Sequence, residues 1–252
     1  MGLVSWWEER KKKNIEQKIN KYANRIFNLN TTHESREQII MELCGIPGVN
    51  ATRALLNRFK LTLHDNAIKD ETEKEKVIKE IISRGEESIE PVKEFIRHSQ
   101  EVSIPFDILG QLVDDDEFVN FTLDVLTTDE ALFDDRVMEK RLDVMNVILH
   151  CKHKKIYEKV SKLINDDDDR IKIVALNILA NQENIDEVRD KLLEMLVDPN
   201  TPPRLVSALI EIFSRKEWKL KGVKNKVEGM LPKEEYFINK DGIIRKRPGV
   251  NN

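Results

Sequence analysis

The chain has 252 residues, 40% hydrophobic and 35% charged, which is long enough to bury a self-sufficient core. Only 6% are aromatic, and 9 Gly and 8 Pro are few, a balance that favours long solvated helices over sheet. A formal charge of -4 argues against a nucleic-acid binder, and no run approaches the ~20 apolar residues that cross a bilayer.

The charge is unevenly spread. Residues 1–25 hold seven Lys/Arg against three Glu, and residues 215–252 hold eleven against five acids, so basic ends flank an acidic middle. The first segment opens Leu3-Val4-Ser5-Trp6-Trp7 and continues into Arg10, Lys11, Lys12 and Lys13. Paired tryptophans beside a basic cluster suit a membrane interface or a partner contact. The plainer reading has Trp6 and Trp7 covering the open end of a helical body. Ile15, Ile19, Tyr22, Ala23 and Ile26 keep helical spacing, so residues 3–27 are expected to form one charged helix, and residues 1–30 to cap the first repeat of that body.

From residue 31 the pattern repeats. Phe59, Ile96, Leu126, Ile164, Leu196 and Leu231 are each taken as the last large apolar residue of a second helix. Their intervals are roughly 37, 30, 38, 32 and 35 residues, the period of helix-pair repeats. About six pairs are expected between residues 31 and 231. One pair cannot bury its own stripe, so neighbours must stack. Residues 54–82 read as a basic first helix. In the clearest stretch, Ile171, Val174, Ala175, Ile178 and Leu179 follow Asp166–Asp169 on one face. Asn184 and Glu187 stand as a capping box ahead of Val188, Leu192, Met195 and Leu196. Thr201-Pro202-Pro203 supplies a cap and prolines ahead of Leu205, Ala208, Leu209, Ile212 and Phe213. After Pro232, Asn239–Gly242 sits between two β-prone triplets, a hairpin signal. Residues 232–252 are thus a hairpin and tail, the tail starting at Arg245.

Residues 83–96, SRGEESIEPVKEFI, place Gly85 at a turn and Pro91 in the first turn of the next helix, and residues 166–180 place Ala175 at a tight helix contact. These stretches resemble HEAT repeats, the second being similar to the bacterial HEAT-like repeats named after phycobilisome lyases. With Ile104-Pro105-Phe106 and the ending from Glu217 to Gly242, the order of segments resembles an uncharacterised group of bacterial HEAT-repeat proteins. The resemblance implies an all-α fold, a right-handed α-solenoid (α-α superhelix, HEAT/armadillo-like). It brings no known chemistry.

Chemistry-bearing clusters are sparse. His150, Cys151 and His153 are metal-ligating in type but have no second cluster to complete a zinc site. HEAT-repeat hydroxylases hold metals through repeated His-Glu pairs, and this chain has one, His33-Glu34. The runs Asp114–Glu117 and Asp166–Asp169 lack the glycine and ligand spacing of a calcium loop, and acids at helix N-termini are explained by the macrodipole. No Gly-rich phosphate loop, nucleophile elbow or Cys-x-x-Cys occurs. Cys44 and Cys151 are expected to be buried free thiols, and the chain reads as cytoplasmic.

The expected function is a non-catalytic protein–protein interaction scaffold with no cofactor and a protein partner, basic in character. The alternatives are a peripheral membrane adaptor working through the Trp6–Lys13 segment, and an accessory subunit resembling phycobilin lyases.

Overall fold

The computed structural model describes residues 3–128, 135–183 and 185–249. Among them lie thirteen α-helices and one two-stranded sheet: α1 (Leu3–Arg25), α2 (His33–Cys44), α3 (Val49–Leu56), α4 (Ala67–Ser83), α5 (Ile89–His98), α6 (Ser103–Leu112), α7 (Asp115–Thr128), α8 (Asp135–Val147), α9 (Lys154–Val160), α10 (Asp169–Ala180), α11 (Ile185–Val197), α12 (Pro203–Arg215), α13 (Lys224–Glu228), β1 (Tyr236–Ile238) and β2 (Ile244–Lys246). In the order of the expected pairs, α2, α4, α6, α8, α10 and α12 stand as first helices and α3, α5, α7, α9, α11 and α13 as second helices. All six period-marking residues are buried, from Ile96 and Leu196 at 0% exposure to Leu231 at 7%. The chain divides into two compact units, residues 1–143 and 144–252.

Within each unit the pairs pack in register. In the first, α4 touches α2 and α6, while α3 touches α1 and α5; in the second, α10 packs on α12 and α11 on α13. First helices therefore meet first helices and second helices meet second helices. Side chains at the ends of first helices fasten this stacking. The Arg84 guanidinium, just past α4, donates to the carbonyls of Leu43 (3.0 Å) and Ile46 (3.1 Å) at the end of α2. Just past α10, Asn181 donates to Leu149 O (2.8 Å) and Gln182 to Cys151 O (2.9 Å). In both units one repeat satisfies carbonyls that the preceding helix leaves open.

Several helix boundaries follow from local chemistry. Gly85 takes φ +59°, a left-handed conformation open to glycine, and lets the chain turn from α4 toward α5, where Pro91 sits in the first turn. Asp114 caps α7 by accepting from Glu117 N (2.8 Å), and Asp168 caps α10 by accepting from Arg170 N (2.7 Å). Both acid runs thus act as helix starts. The α10 stripe buries Ile171, Ala175, Ile178 and Leu179; Val174 is only partly covered, and Leu176 joins the core from beside the stripe.

Four expectations need correction. Residues 54–82 are not one basic helix: α3 ends at Leu56, a 3₁₀ turn spans Asn57–Lys60, and α4 starts at Ala67 behind the Asn66 cap. The chain breaks because Arg58 turns inward and its guanidinium holds the Leu61 carbonyl (2.8 Å). The segment also carries six acids against six bases, so it is not basic. Thr201 does not cap α12; its hydroxyl donates back to Met195 O (2.6 Å) at the end of α11, and Pro202 takes the cap position. Arg245 and Lys246 belong to β2 rather than to a tail. Cys44 and Cys151 are free thiols but only partly buried. Asn184, the expected cap of α11, lies outside the described residues, and Glu187 engages the Tyr157 hydroxyl.

The hairpin pairs Tyr236 with Lys246 and Ile238 with Ile244. Asn239 closes its loop, accepting from Ile243 N (2.9 Å), with Gly242 at φ +75°. Ile244 is fully buried and β2 packs on α12, so the hairpin covers the last helix pair.

Candidate functional site

Two surfaces and one buried cluster in the first unit concentrate the polar chemistry. The first surface is α1. At about 100° per residue, Ile19 and Ile26 fall on one side of the α1 segment, and both are buried against the body. Residues 6–18 are exposed throughout. Trp6 and Trp7 are 49% and 59% exposed; they meet each other edge to face (5.6 Å), and Arg10 lies over the Trp6 ring (5.1 Å). The tryptophans therefore do not serve as a cover for the repeats. The six residues singled out by sequence also divide. Lys11 and Lys12 line a groove of about 460 Å³ with Ile15, Pro47 and Val49, whereas Trp6, Arg10 and Lys13 lie on the opposite side of the helix by its register and Trp7 at its flank.

Helix α1 is tied down through Glu42 of α2. That carboxylate receives Lys18 Nζ (2.6 Å), the Tyr22 hydroxyl (2.6 Å) and Gln38 Nε2 (2.9 Å). Hydrogen bonds from Lys18, then Tyr22 and Gln38, pull its pKa down from 4.5 to about 2. A depressed carboxylate stabilises the fold above its unfolded pKa, and that contribution is lost as pH falls through the folded value. The Glu42 side-chain carboxyl is expected to titrate near pH 2 by carbon-detected NMR, and Lys18→Ala to move it back toward 4.5. A midpoint already near 4.5 in the unsubstituted chain would show that the three bonds do not form in solution.

The second surface joins three successive second helices. Arg53 of α3 reaches Glu94 of α5 (2.7 Å), Lys93 of α5 reaches Glu117 of α7 (2.6 Å), and Arg97 of α5 approaches Asp124 of α7 (4.0 Å). Cation–ring contacts reinforce the ladder: Lys60 lies over Phe27 and Phe95, and Arg97 over Phe121 at 4.9 Å. Burial alone would lower the Lys93 pKa, but the Glu117 and Glu90 carboxylates outweigh it and hold the ammonium above its ordinary range. The carboxylates at the outer ends of the ladder are exposed, Glu90 to 75% and Asp124 to 64%.

The buried cluster is one that sequence reasoning missed. Arg58 and Glu73 are both fully buried, joined at 2.7 Å, and Arg58 also holds Asp70 at 2.6 Å. His33 Nδ1 lies 2.6 Å from the second Glu73 oxygen, and Arg36 donates to the carbonyls of Ile26 and Thr31. Asp70 also accepts from Leu63 N (3.1 Å) and Lys74. Burial works against its charge, yet these donors bring its pKa below the ordinary value. The sequence did carry a signal. Asp70, Glu73, Val77 and Ile81 are the buried positions of α4 at helical spacing, so two acids occupy core positions. The cluster pins the 57–66 connection between α3 and α4, Arg58 bonding Glu73, Asp70 and the Leu61 carbonyl.

Other suspected sites hold ordinary structure. His153 caps α9, its ring nitrogen accepting from Lys155 N (3.2 Å), and Cys151 Sγ leans on Val147 O. His33 turns to Glu73 rather than pairing with Glu34. Among the described residues no group of three His, Cys, Asp or Glu is placed to hold a metal ion. None of the described helices is long and apolar enough to cross a membrane. No protein-family model matches the chain, and no curated protein resembles it at a significant level.

Proposed function

We propose that the chain is a protein-interaction scaffold built of HEAT-like helix pairs, with the exposed face of α3, α5 and α7 as the binding surface. The observation that carries this reading is the ladder across that face. Side chains from consecutive second helices pair with one another and leave carboxylates exposed at the outer edge. Such a surface presents charged side chains of both signs to a partner at half-exposed positions. Extended faces of stacked helix pairs are the usual binding surfaces of repeat proteins. The acids at its edge favour a basic protein partner, and an association steered by charge weakens as salt rises.

A photo-crosslinking side chain placed at Glu90, on the α5 face, is expected to give discrete protein adducts in cells. The same group at Glu75, exposed on α4 among the first helices, is expected to give few. Equal adducts at both positions, or none at Glu90, would remove the second-helix face as the binding surface.

A further inference from the structure

The charges of α1 are sorted around its axis. With successive residues about 100° apart, six of the seven bases, Arg10, Lys11, Lys13, Lys18, Lys21 and Arg25, project from one half of the helix, and the three acids Glu8, Glu9 and Glu16 from the other together with Lys12. Trp6 and Trp7 share the basic half. The acidic half is the one that carries Ile19 and the groove, so Trp6, Arg10, Lys13 and Lys21, opposite it, face away from the body, while Lys11 lines the groove and Lys18 reaches Glu42. Among the described residues Lys18 has Glu42 as its partner, while Arg10, Lys13, Lys21 and Arg25 form no salt bridge. From Trp6 to Arg25 the stripe runs about 28 Å.

We propose that this outward face of α1 docks on an anionic phospholipid bilayer, lying flat with Trp6 and Trp7 in the headgroup layer. The occupant follows from three observations together. Cations along one helix, of which Arg10, Lys13, Lys21 and Arg25 form no salt bridge among the described residues, match a laterally continuous anionic sheet. Two half-exposed indoles at one end of that row have the apolar body and polar N–H edge that settle at a membrane–water boundary. They stand edge to face rather than as parallel plates, which suits a lipid interface better than stacking on nucleic-acid bases. Charge also sets the orientation: α1 carries +4 and the whole chain -4, so the rest of the chain sums to -8 and is repelled by the same surface that attracts α1. This docking is separate from the second-helix face and does not depend on it.

The test uses the full chain and sedimentation with phosphatidylcholine vesicles, with or without phosphatidylserine. Binding is expected only with phosphatidylserine, accompanied by a blue shift of tryptophan emission and lost on adding salt. At roughly fivefold per cation, Arg10→Glu/Lys13→Glu/Lys21→Glu is expected to weaken it by about a hundredfold or more. Lys154→Glu/Lys159→Glu/Lys219→Glu makes the same charge change at exposed positions elsewhere and is expected to leave binding near its original level. Trp6→Ala/Trp7→Ala is expected to abolish the emission shift. All three variants alter exposed side chains, and unchanged melting curves check that they fold. No sedimentation of the original chain, or equal loss in the two triple variants, overturns the proposal. Tighter binding to a duplex or single-stranded oligonucleotide than to vesicles, lost in the α1 triple variant, would assign the face to nucleic acid instead.

Discussion

Arg58→Ala is expected to destabilise the first unit by about 3–5 kcal/mol, the usual cost of removing one partner from a buried ion pair. The alanine leaves Glu73 with no exposure to water, its nearest remaining partners being the Arg36 guanidinium at 3.6 Å and the His33 ring at 2.6 Å. It also frees Asp70 and the Leu61 carbonyl, on which the turn between α3 and α4 depends. Urea unfolding followed by circular dichroism reads the loss as a lower midpoint. Replacing both ends with apolar residues of similar size, Arg58→Met with Glu73→Leu, removes the buried Glu73 charge as well, and the double variant is expected to recover part of the stability, the Leu61 carbonyl and Asp70 still lacking Arg58. If Arg58→Ala unfolded at the midpoint of the parent chain, the cluster would not be formed as described.

The second large effect is expected at Ala175. This residue is fully buried on α10, which packs against α12 in the second unit. Ala175→Glu places a carboxylate where the alanine has no exposure to water, so a loss of several kcal/mol is expected through desolvation and overpacking together. Asp190→Asn is the comparison. Asp190 bridges Lys221 and Arg189 from a half-exposed position, where screening leaves such pairs little to contribute. The melting transition of the second unit should collapse or fall sharply in the first variant and hardly move in the second. Similar curves for both would mean the buried face of α10 has been misplaced.

The contrast between these two sites shows what was legible in the sequence. Ala175 was readable because its stripe is local: Ile171, Ala175, Ile178 and Leu179 recur at helical spacing whatever lies opposite. The same periodicity predicted a helical chain with sequential packing, and Asn239–Gly242 located the hairpin, since turn geometry is set by neighbouring residues. Arg58 was hidden because its partners stand 12 and 15 residues away on another helix, and a charged residue reads as solvated unless its acceptors are known. Asp70 and Glu73 in the buried stripe of α4 were the available warning. Thr201 misled for a related reason, because a hydroxyl before proline can serve either the helix ahead or the one behind, and here the Met195 carbonyl took it. At α1 the residue types were found but not their arrangement. Reading Arg10 to Lys13 as one cluster ignored that consecutive helical residues point in different directions, which separates Lys12 from Trp6, Arg10 and Lys13. The second-helix ladder was beyond reach for the same physical reason as Arg58: Arg53 and Glu94 are 41 residues apart.

The central claim is that the face of α3, α5 and α7 holds a protein partner by charge and shape. Its most direct test is affinity capture from native lysate at low and high salt, comparing the chain with its Glu90→Lys/Glu94→Lys/Glu117→Lys variant and identifying the eluted proteins by mass spectrometry. The predicted result is a discrete protein set that elutes as salt rises and is missing from the variant. The same proteins from both chains, or nucleic acid and no protein, would contradict it.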